Sequence, residues 1–189
     1  MPSGAASSSQ TSSRTRPPIE VVVKAFHTGT SKHRYRGMGA MRVRANHPLY
    51  AGFQFAPEAP LPTPLVRFDW RNPMRDEAGA WLADEVLGDA QADWFIDVRQ
   101  ARTTALRTFK ALQDFLAPRD IVACDVCLFI TSDGKTVFGE VSQDCGRFRH
   151  FDLGSLDKDV WRAGGSSAQV LEKWALFAEL VEAPHASTR

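Results

Sequence analysis

Residues 19–26 read IEVVVKAF, a β-branched apolar run interrupted by Glu20 and Lys24, which predicts a buried strand closed by a turn at Gly29 and Thr30. From residue 97 to 117 the period changes. Val98, Ala101, Ala105, Phe109, Leu112 and Leu116 recur every three or four positions, with Arg99, Arg102, Arg107, Lys110 and Asp114 between them. That spacing predicts an amphipathic helix, ended by Pro118. The run IVACDVCLFI predicts a second strand, Asp133 and Gly134 a turn, and TVFGEV the return strand of a hairpin. Ser166 or Ser167 suits the N-cap of a last helix with Val170, Leu171, Trp174, Phe177 and Val181 on its apolar face.

Between these elements, residues 36–64 hold Gly37, Gly39 and Gly52 with Pro48, Pro57, Pro60, Pro62 and Pro64, a composition of loops or edge strand. Residues 1–18 carry no large apolar side chain except Met1, so they bury too little to offset ordering entropy and read as a disordered tail. Residues 19–182 then form one domain and 183–189 a flexible C-terminus. Strand, loops, helix, hairpin, loop and helix in that order predict an α+β fold, an antiparallel sheet with packed helices. No internal repeat or long heptad seam is present.

Composition narrows the class. The 189 residues are 43% hydrophobic and 24% charged, as in a soluble globular protein. Without an apolar run of roughly 18 residues or an N-terminal apolar signal core, the expectation is no membrane span and no secretory export. Three cysteines, an odd number, fit a reducing cytoplasm. The net charge of +1 conceals +7 over residues 1–67 and −6 over the remainder. A basic stretch suits nucleic acid, an acidic surface or an anionic small molecule, and charge alone does not choose.

Common catalytic patterns are absent: no Walker A loop, GxGxxG, GxSxG or HExxH occurs, and the five histidines lack metal-ligand spacing. Cys124 and Cys127 match CxxC, but inside a strand they point to opposite faces, and a structural role is expected. Two constellations remain. In the first, a strand delivers Lys24 and then Thr28, Gly29 and Thr30, followed by Lys32 and Arg34, a cation and hydroxyl arrangement that suits a phosphate. In the second, Gly139 to Arg147 and then Leu156 to Arg162 pack mixed charge after the hairpin, as either a site or a solvated, salt-bridged loop.

Residues 18–30 resemble the P-[LI]-E-x-V-V-R-x-x-x-[TA]-G-S stretch of SAICAR synthetase, the purine-pathway ligase, with Lys24 for the family's Arg and Thr30 for its Ser. The second constellation resembles its D-E-I-S-P-D-x-x-R loop, aligning Glu140, Ser142, Asp144 and Arg147, and its L-D-K-D-V-x-R segment, aligning Leu156 to Arg162. The resemblance covers roughly residues 18–181 and implies a SAICAR synthetase-like, ATP-grasp-related fold. It implies Lys24, Thr30, Arg34, Arg147 and Arg162 as substrate-binding residues, with Lys24, Thr30 and Arg147 on the ribonucleotide phosphate. It further implies Asp144, Lys158 and Asp159 at the catalytic centre, and Asp125 and Glu140 toward the cofactor, ATP with Mg²⁺, Glu140 as a metal ligand. The implied partners are a phosphorylated imidazole-type ribonucleotide and aspartate or a similar amine. The implied reaction is phosphorylation of the ribonucleotide carboxylate followed by amide formation.

Three departures qualify this. The D-x-K-x-E-F-G strand keeps Asp125 but has Cys127 and Phe129 in place of Lys and Glu, and Gly139 stands for the first Asp of D-E-I-S. Phe129 and Gly139 offer no oxygen to a hard cation. The family also places an ATP-binding lobe before the first motif, where this sequence has 17 mostly low-complexity residues. The expectation is therefore a divergent ligase part that works with a separately encoded ATP lobe or as a homo-oligomer. The alternatives are a non-catalytic nucleotide-binding or scaffold relative, and, least favoured, a basic nucleic-acid module using Arg34, Arg36, Arg42 and Arg44 with Tyr35 and Tyr50.

Overall fold

The computed structural model describes residues 15–29 and 42–183. The β-branched run forms β1 (Ile19–Phe26). After it come β2 (Pro60–Trp70), β3 (Glu85–Leu87), α1 (Asp89–Ala92) and α2 (Val98–Leu116). The hairpin is β4 (Ile121–Ile130) with the two-residue β5 (Val137–Phe138). Then follow β6 (Gly146–His150), β7 (Gly154–Ser155), α3 (Asp159–Arg162) and α4 (Ser167–Glu182). Among the described residues the strands form one antiparallel sheet in the order β3, β2, β1, β4, β6, β7, with β5 also on β4. The α+β architecture follows the expectation.

Strand alternation gives this sheet two unlike faces. On one, Ile19, Val21, Val23, Phe68, Val126, Leu128, Ile130 and Phe148 join Ala101, Ala105, Phe109 and Leu116 of α2 in a continuous core. The small Ala101 and Ala105, fully buried, let the helix lie close to β1 and β4. Asp97 starts α2 as the N-cap, accepting a hydrogen bond from the Gln100 amide at 2.8 Å, and a 3-10 turn at Ala117–Arg119 ends it. On the other face the same strands present Glu20, Lys24, Arg67, Asp69, Asp125 and Arg147.

Three expectations change. The prolines of residues 60–64 do not exclude a strand: β2 runs through them, because its partner on the far side, β3, pairs only with Phe68–Trp70, so missing N–H groups at Pro60, Pro62 and Pro64 break no ladder there. Residues 15–18, assigned to the tail, are tied in: Thr15 and Ser132 exchange hydrogen bonds, the Arg71 amide donates to the Pro18 carbonyl, and Pro17 is buried. Residues 1–14 and 184–189 lie outside the described residues. On α4, Ser166 is the N-cap, but Leu176, Phe177, Leu180 and Val181 face the core and Leu171 is exposed. No described helix is long and apolar enough to cross a membrane.

Candidate functional site

Sheet register builds the centre of the charged face. Lys24 of β1 stands opposite Asp125 of β4, and Asp125 opposite Arg147 of β6. Lys24 Nζ donates to Asp125 Oδ2 at 3.0 Å, and Arg147 Nη1 donates to the same oxygen at 2.7 Å. Lys24 and Asp125 are each 2% exposed and Arg147 8%. The row continues outside the sheet: Arg147 Nε lies 3.2 Å from Asp159 Oδ2, and Arg162 Nη1 donates to Asp159 Oδ1 at 2.6 Å. Lys24, Asp125, Arg147, Asp159 and Arg162 thus form one chain of alternating charge.

Asp157, which lies in the aligned Leu156–Arg162 segment but has no implied role there, puts Asp159 in reach. Its fully buried carboxylate accepts hydrogen bonds from the Phe148 and Asp159 amides, both at 2.7 Å, and so fastens the start of α3 to β6. The remaining implied groups lie at the rim. Lys158 Nζ donates to the Asp144 carbonyl at 2.6 Å and its Oδ1 at 2.8 Å. Arg67 and Asp69, also unforeseen, make a buried bidentate pair on β2, at 2.6 Å through Nε and 2.5 Å through Nη2. Their signal in the sequence was the alternation of Arg67, Phe68, Asp69. Thr30 and Arg34 lie outside the described residues.

The electrostatics follow from burial set against pairing. Burial works against the charge on Arg147, but Asp125 and Asp159 outweigh it and hold its pKa above the usual value. For Asp159 burial again opposes ionisation, and the Arg162 hydrogen bond with the Arg147 charge brings its pKa below the usual value. Glu20 is pushed up by burial, against Arg71. Cys124 and Cys127 are pushed up to about 12 by burial. Cys124, Cys127 and Cys145 are all free thiols.

Two polar atoms stand out. Among the described residues, Asp125 Oδ1 and Thr28 Oγ1 are buried without a hydrogen-bond partner. An acceptor left so costs roughly 1–3 kcal/mol, and a ligand donor would recover it.

The donor set does not make a Mg²⁺ site. Phe129 packs its ring against Phe138 at 5.7 Å between centroids, with the Arg71 guanidinium 5.7 Å above it, so the position where the family carries a carboxylate holds an aromatic and cationic cluster. Glu140, expected as the metal ligand, is exposed, and Asp144 Oδ1 is taken by Lys158. Among the described residues no three His, Cys, Asp or Glu side chains are grouped to hold a metal. A hard cation needs several oxygens at once, and these residues do not converge.

A family model for SAICAR synthetase matches residues 5–175. The chain belongs to the SAICAR synthetase family. Its fold agrees. A SAICAR synthetase in complex with ADP superposes with a TM-score of 0.64 at 26% identity, over 93% of this chain and 67% of that one. SAICAR synthetase from Pyrococcus horikoshii OT3 gives 0.64 at 23% identity, over 93% and 68%. The Saccharomyces cerevisiae SAICAR synthase complexed with SAICAR gives 0.62 at 18%, over 90% and 60%, a likeness of fold. The bifunctional cordycepin biosynthesis cluster protein 3 of Cordyceps militaris is 28% identical over 203 aligned positions, which take in 82% of this chain. The chain spans 22% of that relative's length.

Proposed function

We propose that this chain binds a phosphorylated imidazole-type ribonucleotide carboxylate on its charged face and serves an ATP-driven carboxylate–amine ligation with aspartate or a similar amine. The observation that carries the reading is the convergence of Lys24 and Arg147 on one oxygen of Asp125 while its other oxygen stays unpartnered. Arg147 commits Nη1 to Asp125 and lies with Nε beside Asp159, which leaves Nη2 to grip a phosphate in a fixed orientation. Lys24 is turned to Asp125 and steadies Arg147 through it. In the proposal Asp125 Oδ1 accepts a hydrogen bond from the ligand. In the proposal Arg162 adds a cation to the anion's surroundings, and Thr30 and Arg34 stay substrate-binding residues on the resemblance alone.

ATP supplies the activation: the ribonucleotide carboxylate attacks the terminal phosphorus with loss of ADP, and the amine nitrogen then displaces inorganic phosphate from the acyl carbon. This chain's part is to hold the carboxylate in place, since positioning supplies much of the rate in such transfers. In the proposal Asp144, about half exposed beside Lys158, takes the proton that the attacking amine releases, and Asp159 orients Arg147. No step is assigned to Mg²⁺ on these residues. ATP is handled in this account by a second protein or a second copy of the chain.

The test mixes purified chain, Mg²⁺-ATP, aspartate and the imidazole ribonucleotide carboxylate, and follows ADP and amide with and without a candidate ATP-binding partner. Amide formed only in the mixture supports the reading. Robust amide from the chain alone removes the partner. Silence in both, with ribonucleotide binding intact, favours a non-catalytic binding protein, a reading that the Phe129 cluster also supports.

A further inference from the structure

On the opposite side of the sheet from the charged face, α2 and the β4–β5 hairpin tip flank an open groove of about 640 Å³ that the ligase reading does not use. One wall is a single stripe of the helix, Gln100, Thr104, Arg107 and Thr108, spaced as one α-helical face. The other wall is Lys135 and Thr136 just past the hairpin turn. The volume lies within the range of small-molecule sites, and the lining is mixed, Ala111 and Val137 beside two cations and several hydroxyls, with no carboxylate in it.

The cations set this groove apart from the charged face, where the named cations are ion-paired. Neither the Arg107 guanidinium nor the Lys135 ammonium is ion-paired or hydrogen-bonded among the described residues, and the hydroxyls of Thr108 and Thr136 donate to none of them. Lys110, the next cation along α2, is by contrast held by Asp114 at 2.8 Å. Asp133 is the nearest acid in sequence to Lys135, and its Oδ1 accepts from the Thr131 hydroxyl and the Lys135 amide, serving the turn.

The walls are also fixed in place. Gly134, at φ +70°, brings the hairpin tip so near α2 that a Cβ there would meet the Ala101 amide nitrogen at 2.6 Å, and Thr104 Oγ1 donates to the Gly134 carbonyl at 2.7 Å. Lys135 and Thr136 follow directly from that anchored residue. Two unneutralised cations and free hydroxyls on opposed, pre-positioned walls suit an anion that accepts many hydrogen bonds and carries charge at more than one point. A single phosphate would occupy only part of such a groove.

We propose that this groove is a second anion site, distinct from the charged face, that takes an oligophosphate group. Inorganic pyrophosphate is the direct probe, titrated into the full chain and followed by two-dimensional amide NMR. Saturable shifts at Thr104, Thr108 and Thr136, with the affinity lowered at least tenfold in an Arg107→Gln, Lys135→Gln double variant and unchanged in Lys110→Gln, are the expected result. All three side chains are exposed, and the rest of the spectrum verifies the fold. Repeating the titration with ADP separates a free oligophosphate from a nucleotide's phosphates: equal saturation by both leaves the phosphates as the recognised group. The proposal is overturned if pyrophosphate shifts only the strands carrying Lys24 and Arg147, if Lys110→Gln weakens it as much as the double variant, or if no shift saturates.

Discussion

Lys24 and Asp125 face each other across adjacent strands, 101 residues apart in sequence, and their side chains meet at 3.0 Å with only 2% of either residue exposed. A pair so buried is held by mutual neutralisation, and the desolvation of both ions is recovered only while both are present. Asp125 also carries Arg147 on the same oxygen. Replacing Asp125 by Asn strands the buried Lys24 ammonium and leaves Arg147 with Asp159 alone. Urea denaturation of Asp125→Asn should show a loss of about 3–5 kcal/mol. A loss under about 1 kcal/mol would mean the network behaves as a surface ion pair.

Arg147 acts through shape as well as charge, because one guanidinium addresses Asp125 and Asp159 from different nitrogens. A lysine ammonium is a point charge and cannot reproduce that fork. Arg147→Lys should keep its circular dichroism spectrum and lose about tenfold or more in affinity for the imidazole ribonucleotide carboxylate. Normal binding by this variant would return the second constellation to a structural salt bridge.

The buried thiols give a pH signature. Cys124 and Cys127 titrate near 12 in the folded chain, against the ordinary 9.0. Between those values the folded chain holds more protons than the unfolded one, so stability falls as pH rises. The contribution is complete below pH 9.0 and is lost progressively toward about 12. Urea midpoints measured across that interval should decline, and a Cys124→Ala, Cys127→Ala double variant should decline less steeply. Equal slopes would place the alkaline sensitivity elsewhere.

How far the sequence foretold this structure depended on whether the information was local. The strand Ile19–Phe26 and the helix Val98–Leu116 were legible because their periods repeat within a few residues, and Asp97 and Ser166 mark helix starts by their own hydrogen bonds. The strand Pro60–Trp70 was not, because its prolines argue against a ladder unless the free edge beside them is known. Arg147 read as a loop residue, although it sits on a strand whose neighbour, Asp125, is 22 positions away. Motif resemblance brought Lys24, Arg147, Asp144 and Asp159 to notice, while Asp157, Arg67 and Asp69 needed the register.

The aromatic cluster at Phe129 predicts that this chain binds the proposed ribonucleotide without a divalent cation. Calorimetric affinity should be the same in Mg²⁺ and in excess EDTA, since in the proposal Arg147 and its neighbours meet the phosphate. A tenfold or greater loss in EDTA would show that a cation site forms on the complex. Phe129→Glu, which offers a carboxylate beside Glu20 in the register, should introduce Mg²⁺ dependence if the missing oxygen is what excludes the ion.

The most direct test of the central claim compares an aminoimidazole ribonucleotide carboxylate with the corresponding nucleoside in calorimetric titrations of the same protein. The two ligands differ only in the phosphate, and a charge-assisted hydrogen bond to it is worth roughly 1.5–3 kcal/mol. The account predicts that the nucleotide binds at least about tenfold more tightly than the nucleoside, and that Arg147→Lys narrows the difference. Equal affinity for the two would contradict a phosphate site on the charged face.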